Sequence, residues 1–105
     1  EIIASSNTRL LNSELIIETV ARYFDLQQED FKSKKRNREI SYPRQIAMYL
    51  CRELTEMSLP KIGEDFGGRD HTTVMHAIDK ISSEIQEDSE TRRTIDELKR
   101  AILGK

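Results

Sequence analysis

Asp70, His71, Thr72 and Thr73 stand in a row directly after Gly67 and Gly68. Short polar side chains at the tip of a helix suit one kind of chemistry, hydrogen bonding and methyl contact with the edges of stacked bases. The methyls of Thr72 and Thr73 match a thymine C5-methyl, and their hydroxyls match a phosphate or a base. Asp70 is the telling residue, because a carboxylate facing a polyanion is costly unless it accepts a hydrogen bond. Cytosine N4 and adenine N6 both offer a donor in the major groove. The position equally suits a helix N-cap, and the two uses are compatible, with one oxygen on the backbone and one toward a base. His71 reads as a donor to a phosphate or base, as a partner for a thymine methyl, or as a plain surface histidine. His76 reads as a helix-surface residue with at most a phosphate contact.

A second set of groups is a run of cations. Residues 32–52 carry Lys32, Lys34, Lys35, Arg36, Arg38, Arg44 and Arg52 against Glu39 alone, a net +6 within a chain whose formal charge is −2. Everything outside that run therefore sums to −8. Segregated charge of this kind gives one face that attracts a polyanion and others that repel it, so the overall pI near 5.7 is a poor guide to partners. Lys32 to Glu39 has no apolar period and is expected to be an exposed basic loop, either a solvated charge run or an arm that tracks phosphates or enters a narrow minor groove. Arg44 and Gln45 are expected at the exposed start of the following helix, where free N–H groups and a basic side chain make a phosphate site.

Other chemistries find no support in the residues. His71 and His76 are five apart, about 140° around a helix, whereas helical metal pairs use i, i+4 spacing; no CxxC pair completes a site. There is no G-x-x-x-x-G-K-[ST] phosphate loop, and no nucleophile–base–acid set suggests an enzyme. Tyr23, Tyr42 and Tyr49 are scattered and offer no stacking platform for single strands. The lone cysteine, Cys51, cannot form an internal disulfide, which fits a reducing cytoplasm. No apolar run approaches the ~18 residues that span a bilayer.

The elements that must hold these groups follow from periodicity and caps. At 105 residues the chain is expected to be one domain, with residues 1–11 a connection from a preceding domain and 12–105 a helical domain. Asn12 should cap a helix carrying Ile16, Val20 and Phe24, with Leu11 and Ile16 as a hydrophobic staple. Leu26 to Phe31 suits a short helical turn. Ser41 should cap the longest helix, with Pro43 in its first turn and Ile46, Leu50, Leu54 and Met57 as the buried stripe. Ser58 to Phe66 reads as a short helix ended by Gly67, and a second helix starts at Asp70 with Val74, Ile78, Ile81 and Ile85 inward. That pair is a helix-turn-helix with the second helix as reader. Glu84 to Ser89 is polar, so the reader should fray there. Ile95, Leu98 and Ile102 mark a last helix ended by Gly104. Nothing alternates as a strand would. The expected fold is all-α, a bundle of about six helices of Trp-repressor-like design.

Gly67 to Ala77 (Gly-Gly-Arg-Asp-His-Thr-Thr-Val-Met-His-Ala), with Pro43-Arg44-Gln45-Ile46-Ala47-Met48 and Ser58-Leu59-Pro60-Lys61-Ile62-Gly63 before it, closely resembles the C-terminal DNA-binding domain of bacterial replication initiators of the DnaA family. The likeness runs from about Asn12 to Ile81. It implies binding to DnaA boxes, short asymmetric duplex sites at the replication origin, by a monomeric module acting in the cytoplasm at the nucleoid. By the resemblance, Arg36 holds the place of a minor-groove arginine, and Asp70, His71 and Thr72 that of major-groove readers. Phosphate contacts would fall to Arg44, Gln45, Lys61, Arg69 and Thr73. ATP would belong to a separate AAA+ domain, so no cofactor is expected here. An ordinary helix-turn-helix transcription regulator, which usually needs a dimer and a palindrome, is the alternative. A docking module for a regulatory protein of initiation is another, and it does not exclude DNA binding.

Overall fold

Asn12 opens the first helix as its sequence implies. In a computed structural model describing residues 11–104, its side chain accepts the Leu15 N–H at 2.9 Å, and α1 runs Ser13–Phe24. Leu11 packs, partly buried, against the core that contains the fully buried Ile16. The rest of the expected connecting segment, residues 1–10, lies outside the described residues. Asp25 adopts a left-handed conformation (φ 60°) that ends α1, and the Leu26 N–H reaches back to the Ala21 carbonyl. A 3-10 helical turn, Gln28–Lys32, then buries Phe31 completely.

The longest helix, α2, spans Arg38–Leu54, and here the expected boundary is wrong. Asn37, not Ser41, is the N-cap, its carbonyl accepting the N–H groups of Ile40 and Ser41 at 2.9 Å. Starting a turn earlier buries Ile40, an apolar gain that outweighs the hydroxyl cap. Pro43 therefore lies inside the helix, past the first turn, and leaves the carbonyl of exposed Glu39 without its usual i+4 donor. The expected one-sided stripe is also too narrow. Ile46 through Cys51 are buried without a break, because α2 is the central helix, covered by α1, the 3-10 turn and the helix-turn-helix. Burial in that apolar setting pushes the Cys51 thiol up to about 12, which leaves it an inert core group.

Three further helices complete the bundle: α3 Leu59–Asp65, α4 His71–Glu87 and α5 Ser89–Leu103. Ser58 caps α3 through the Lys61 N–H, with Pro60 in the first turn. On α4 the buried stripe is Val74, Ala77 and Ile81; Ile78 and Ile85, expected inward, are half-buried at its edge. The expected fraying at Glu84 does not occur. The helix continues to Glu87, and Asp88 ends it while capping α5 through the Glu90 N–H. Ile95, Leu98 and Ile102 are buried as anticipated, and Gly104 (φ 75°) closes α5. The described residues thus form five α-helices and one 3-10 turn, with no strand, against the six or so helices expected.

A single network of hydrogen bonds fixes the angle between α3 and α4. The Gly63 carbonyl accepts the N–H groups of Phe66, Gly68 and Arg69 at 2.9 to 3.2 Å, which folds the turn back onto α3. Gly67 and Gly68 take φ values of 90° and 83°, conformations that L-residues rarely adopt. Ser13 on α1 donates to Asp65 at 2.6 Å and ties the first helix to the end of α3.

Candidate nucleic-acid interface

The reader tip is built by its own cap. Asp70 Oδ1 accepts the Thr73 N–H at 2.9 Å, satisfying one of the donors that a helix start leaves free. His71, Thr72, Thr73 and His76 are all exposed, and no apolar neighbour covers them. The hydrogen bond from the Thr73 N–H holds the Asp70 carboxyl below the usual carboxylate range. A depressed folded value means that the cap contributes fully above about pH 4 and is lost as pH falls through that lower value. Asp70→Asn, which keeps a capping oxygen but does not titrate, should therefore match the parent near pH 7 and lose less of its urea midpoint between about pH 4 and pH 2. An equal acid loss in both proteins would place the sensitivity elsewhere.

The basic loop is ordered by bonds that its composition does not announce. The Ser33 hydroxyl donates to the Asp30 carbonyl at 3.0 Å and accepts the Lys35 N–H at 3.3 Å. Lys35 sits 3.6 Å from Asp30. Lys34, Lys35, Arg36 and Arg38 remain exposed, so the expectation of an exposed basic loop holds for its side chains. Gly67 packs directly on the Lys32 backbone, which brings the start of the loop against the turn of the helix-turn-helix.

Arg44 is where the expected surface and the observed one part company. It was expected at the exposed helix start, yet only 6% of it is accessible. Its guanidinium donates to the carbonyls of Asp30 (3.3 Å), Ser33 (3.4 Å) and Lys35 (2.7 Å). The physical reason is the earlier start of α2, which moves Arg44 from the exposed first turn to the second, facing the base of the loop. Arg69 joins it there, donating to the Ser33 carbonyl at 2.6 Å and to the Phe66 carbonyl. Burial lowers the affinity of both guanidinium groups for their proton, and for Arg44 the neighbouring Arg69 charge adds to the effect. Both stay protonated at any physiological pH.

Between α2 and α4 lies an open groove of about 250 Å³, lined among others by Arg44, Gln45, Arg69, Thr73, His76 and Lys80. It brings four of the sequence-selected residues together, Arg44, Gln45, Arg69 and Thr73, and Asp70, His71 and Thr72 continue from its rim along α4. Lys61 is apart from them on α3, exposed and paired with Asp65 at 3.2 Å and Glu64 at 3.6 Å. Its bond to Asp65 raises the ammonium's pKa. Arg36 projects from the loop that the Arg44 and Arg69 bonds hold.

Helical spacing puts Lys80 on the outward face of the reader with Thr72, Thr73 and His76, but it is not among the expected contacts. Lys80 donates to Gln45 Oε1 at 3.2 Å and lies 6.0 Å from the Tyr42 ring centroid, while the Arg38 guanidinium lies 4.6 Å from the same ring. Tyr42 also shares a hydrogen bond with buried Thr91 at 3.3 Å, which fixes the ring that both cations approach. The signal that finds Lys80 in the sequence is its spacing from Thr73 and His76, i, i+3, i+7 on the outer face of the reader.

Comparisons with known proteins converge. The family model of the bacterial dnaA protein helix-turn-helix matches residues 13–81. The chromosomal replication initiator protein DnaA of Caldanaerobacter subterraneus subsp. tengcongensis is 57% identical over 102 residues, which is 97% of this chain and 23% of that protein. That of Thermoanaerobacter pseudethanolicus aligns with the same identity and coverage. The chain thus spans under a quarter of the length of these curated relatives. A crystal structure of a DNA replication initiation factor superposes with a TM-score of 0.78 at 34% identity, covering 96% of this chain and 30% of the other.

Proposed function

This chain belongs to the bacterial DnaA helix-turn-helix family, and from that premise we propose that it binds duplex DNA in a sequence-specific way, at DnaA boxes of a replication origin. The observation that carries the reading is the shared grip on Ser33. Arg44 and Arg69 hold one carbonyl of the basic loop, which sets the segment bearing Arg36 beside the turn that starts the reader helix. A loop and a helix tip so placed reach adjacent grooves of a single double strand. In this reading Arg36 enters the minor groove, where a narrow A·T-rich segment concentrates negative potential. Asp70, His71 and Thr72 meet base edges in the major groove. Gln45, Lys61 and Thr73 contact phosphates, joined by Lys80 in the groove and Arg38 beside Tyr42. Arg44 and Arg69, expected on phosphate, have their donors on backbone carbonyls and act through the loop instead.

The module binds as a monomer to an asymmetric site, and no residue of it is assigned to catalysis. ATP is assigned to an AAA+ domain in the remaining three quarters of such a protein, and the nucleoid is the place of action. Regulatory proteins of initiation are its further proposed partners. Among the described residues no helix is long and apolar enough to cross a membrane.

Selection from duplexes randomised over roughly one helical turn (~10 bp) tests the reading. The expected product is one asymmetric site; a two-fold symmetric site would point to a dimeric regulator instead. On the selected site Thr72→Ala should cost about 1–3 kcal/mol and relax preference at one or two adjacent positions only. A uniform loss over all sequences would remove Thr72 from base reading.

A further inference from the structure

Only Arg36 and Asn37 separate Lys35 from α2. On one side Arg44 holds the Lys35 carbonyl at 2.7 Å, and on the other the Asn37 carbonyl is committed to the first N–H groups of α2. Arg36 therefore sits on a bridge pinned one residue away in each direction. The base of the loop is pinned as well, since Ser33 carries both guanidinium groups and Gly67 leaves room for nothing but hydrogen against the Lys32 backbone. Placing two cations on one carbonyl is unfavourable in itself, so the arrangement makes sense as a device for position and not for stability.

We propose that Arg44 and Arg69 form a clamp that fixes the register between the Arg36 arm and the reader helix, making Arg44 a positioning residue for minor-groove specificity. The planar fork is what the task needs. Arg44 serves carbonyls 9, 11 and 14 residues away in sequence at once, and an ammonium group on a flexible stem cannot hold that spread. Because arm and tip then move as one body, base preference in one groove is read in fixed phase with the other. This inference rests on the duplex-reading proposal and specifies which residue sets the geometry.

Arg44→Lys keeps the charge and removes the fork. The selected duplex is varied one base pair at a time, and binding of the parent, Arg44→Lys, Arg36→Ala and the double variant is measured at two salt concentrations. In Arg44→Lys the discrimination at the positions sensitive to Arg36→Ala should fall by about 10-fold or more. Discrimination at the positions read by the tip, and the salt slope, should stay as in the parent. The double variant should bind no more weakly than Arg36→Ala alone, because the clamp acts only through the arm. A uniform loss with a shallower salt slope, additive with Arg36→Ala, would make Arg44 a phosphate contact and overturn the clamp. Loss of arm and tip discrimination together would make it a general structural residue and overturn it as well. Should Arg44→Lys not fold, Arg69→Lys is expected to give the same position-restricted signature. If Arg36→Ala changes no base preference at all, duplex reading by the arm fails independently of the clamp. Amide exchange then decides the clamp alone: Arg44→Lys should speed exchange at Lys35 to Asn37 while Ile46 to Cys51 stay protected, and unchanged exchange in the loop overturns it.

Discussion

Gly63→Ala is expected to destabilise the fold by about 3 kcal/mol, and Gly68→Ala by no more than about 1–2 kcal/mol. A methyl at position 63 would overlap the Arg69 carbonyl oxygen and lie 3.0 Å from its carbonyl carbon. Neither group can move away freely, because the Gly63 carbonyl holds the N–H groups of Gly68 and Arg69 and those bonds make the turn. The nearby Val74 side chain, fully buried, closes the remaining exit. A Cβ at position 68 meets nothing within 4 Å, so only its φ of 83° is strained. Gly67→Ala combines both faults, with φ 90° and the Lys32 carbonyl in the way, and should loosen the base of the arm besides. Urea midpoints for the three variants rank them directly. A Gly68 variant as damaged as the Gly63 variant would mean that backbone conformation, and not close approach, dictates these glycines.

The second large effect concerns binding and not folding. Arg36→Ala should weaken the selected site by about 1–3 kcal/mol, roughly 5- to 150-fold, while leaving thermal stability unchanged because the side chain is exposed. On random duplex the loss should be confined to one cation's share of the salt dependence, a slope change near 1. Lys80→Gln provides the contrast. Lys80 sits in the groove on the reader helix, beside Gln45 and Tyr42. Its loss should weaken every duplex alike and flatten the salt slope by about 1 as well. Filter-binding titrations at two salt concentrations separate the two outcomes. Equal ratios of specific to random affinity in both variants would leave Arg36 a phosphate contact and the minor-groove assignment without support.

Asn12, Ser58 and Asp70 were each legible as helix starts, because a cap is a bond between a side chain and an N–H three residues on. The glycine turn, the all-α class and the inward faces of α1 and α5 were legible for the same reason: chain geometry repeats locally, and residue type reports it. Ser41 was misjudged as a cap by a contest that locality cannot settle. Asn37 wins because the extra turn buries Ile40 in a core assembled from distant segments. The partners of Arg44, Arg69 and Lys80 belong wholly to the tertiary structure. Arg44 bonds carbonyls 9 to 14 residues back, Arg69 one that is 36 away, and Lys80 an amide 35 away. Every residue carries the same backbone carbonyl, so a sequence can announce a guanidinium but not the oxygens that packing will set before it.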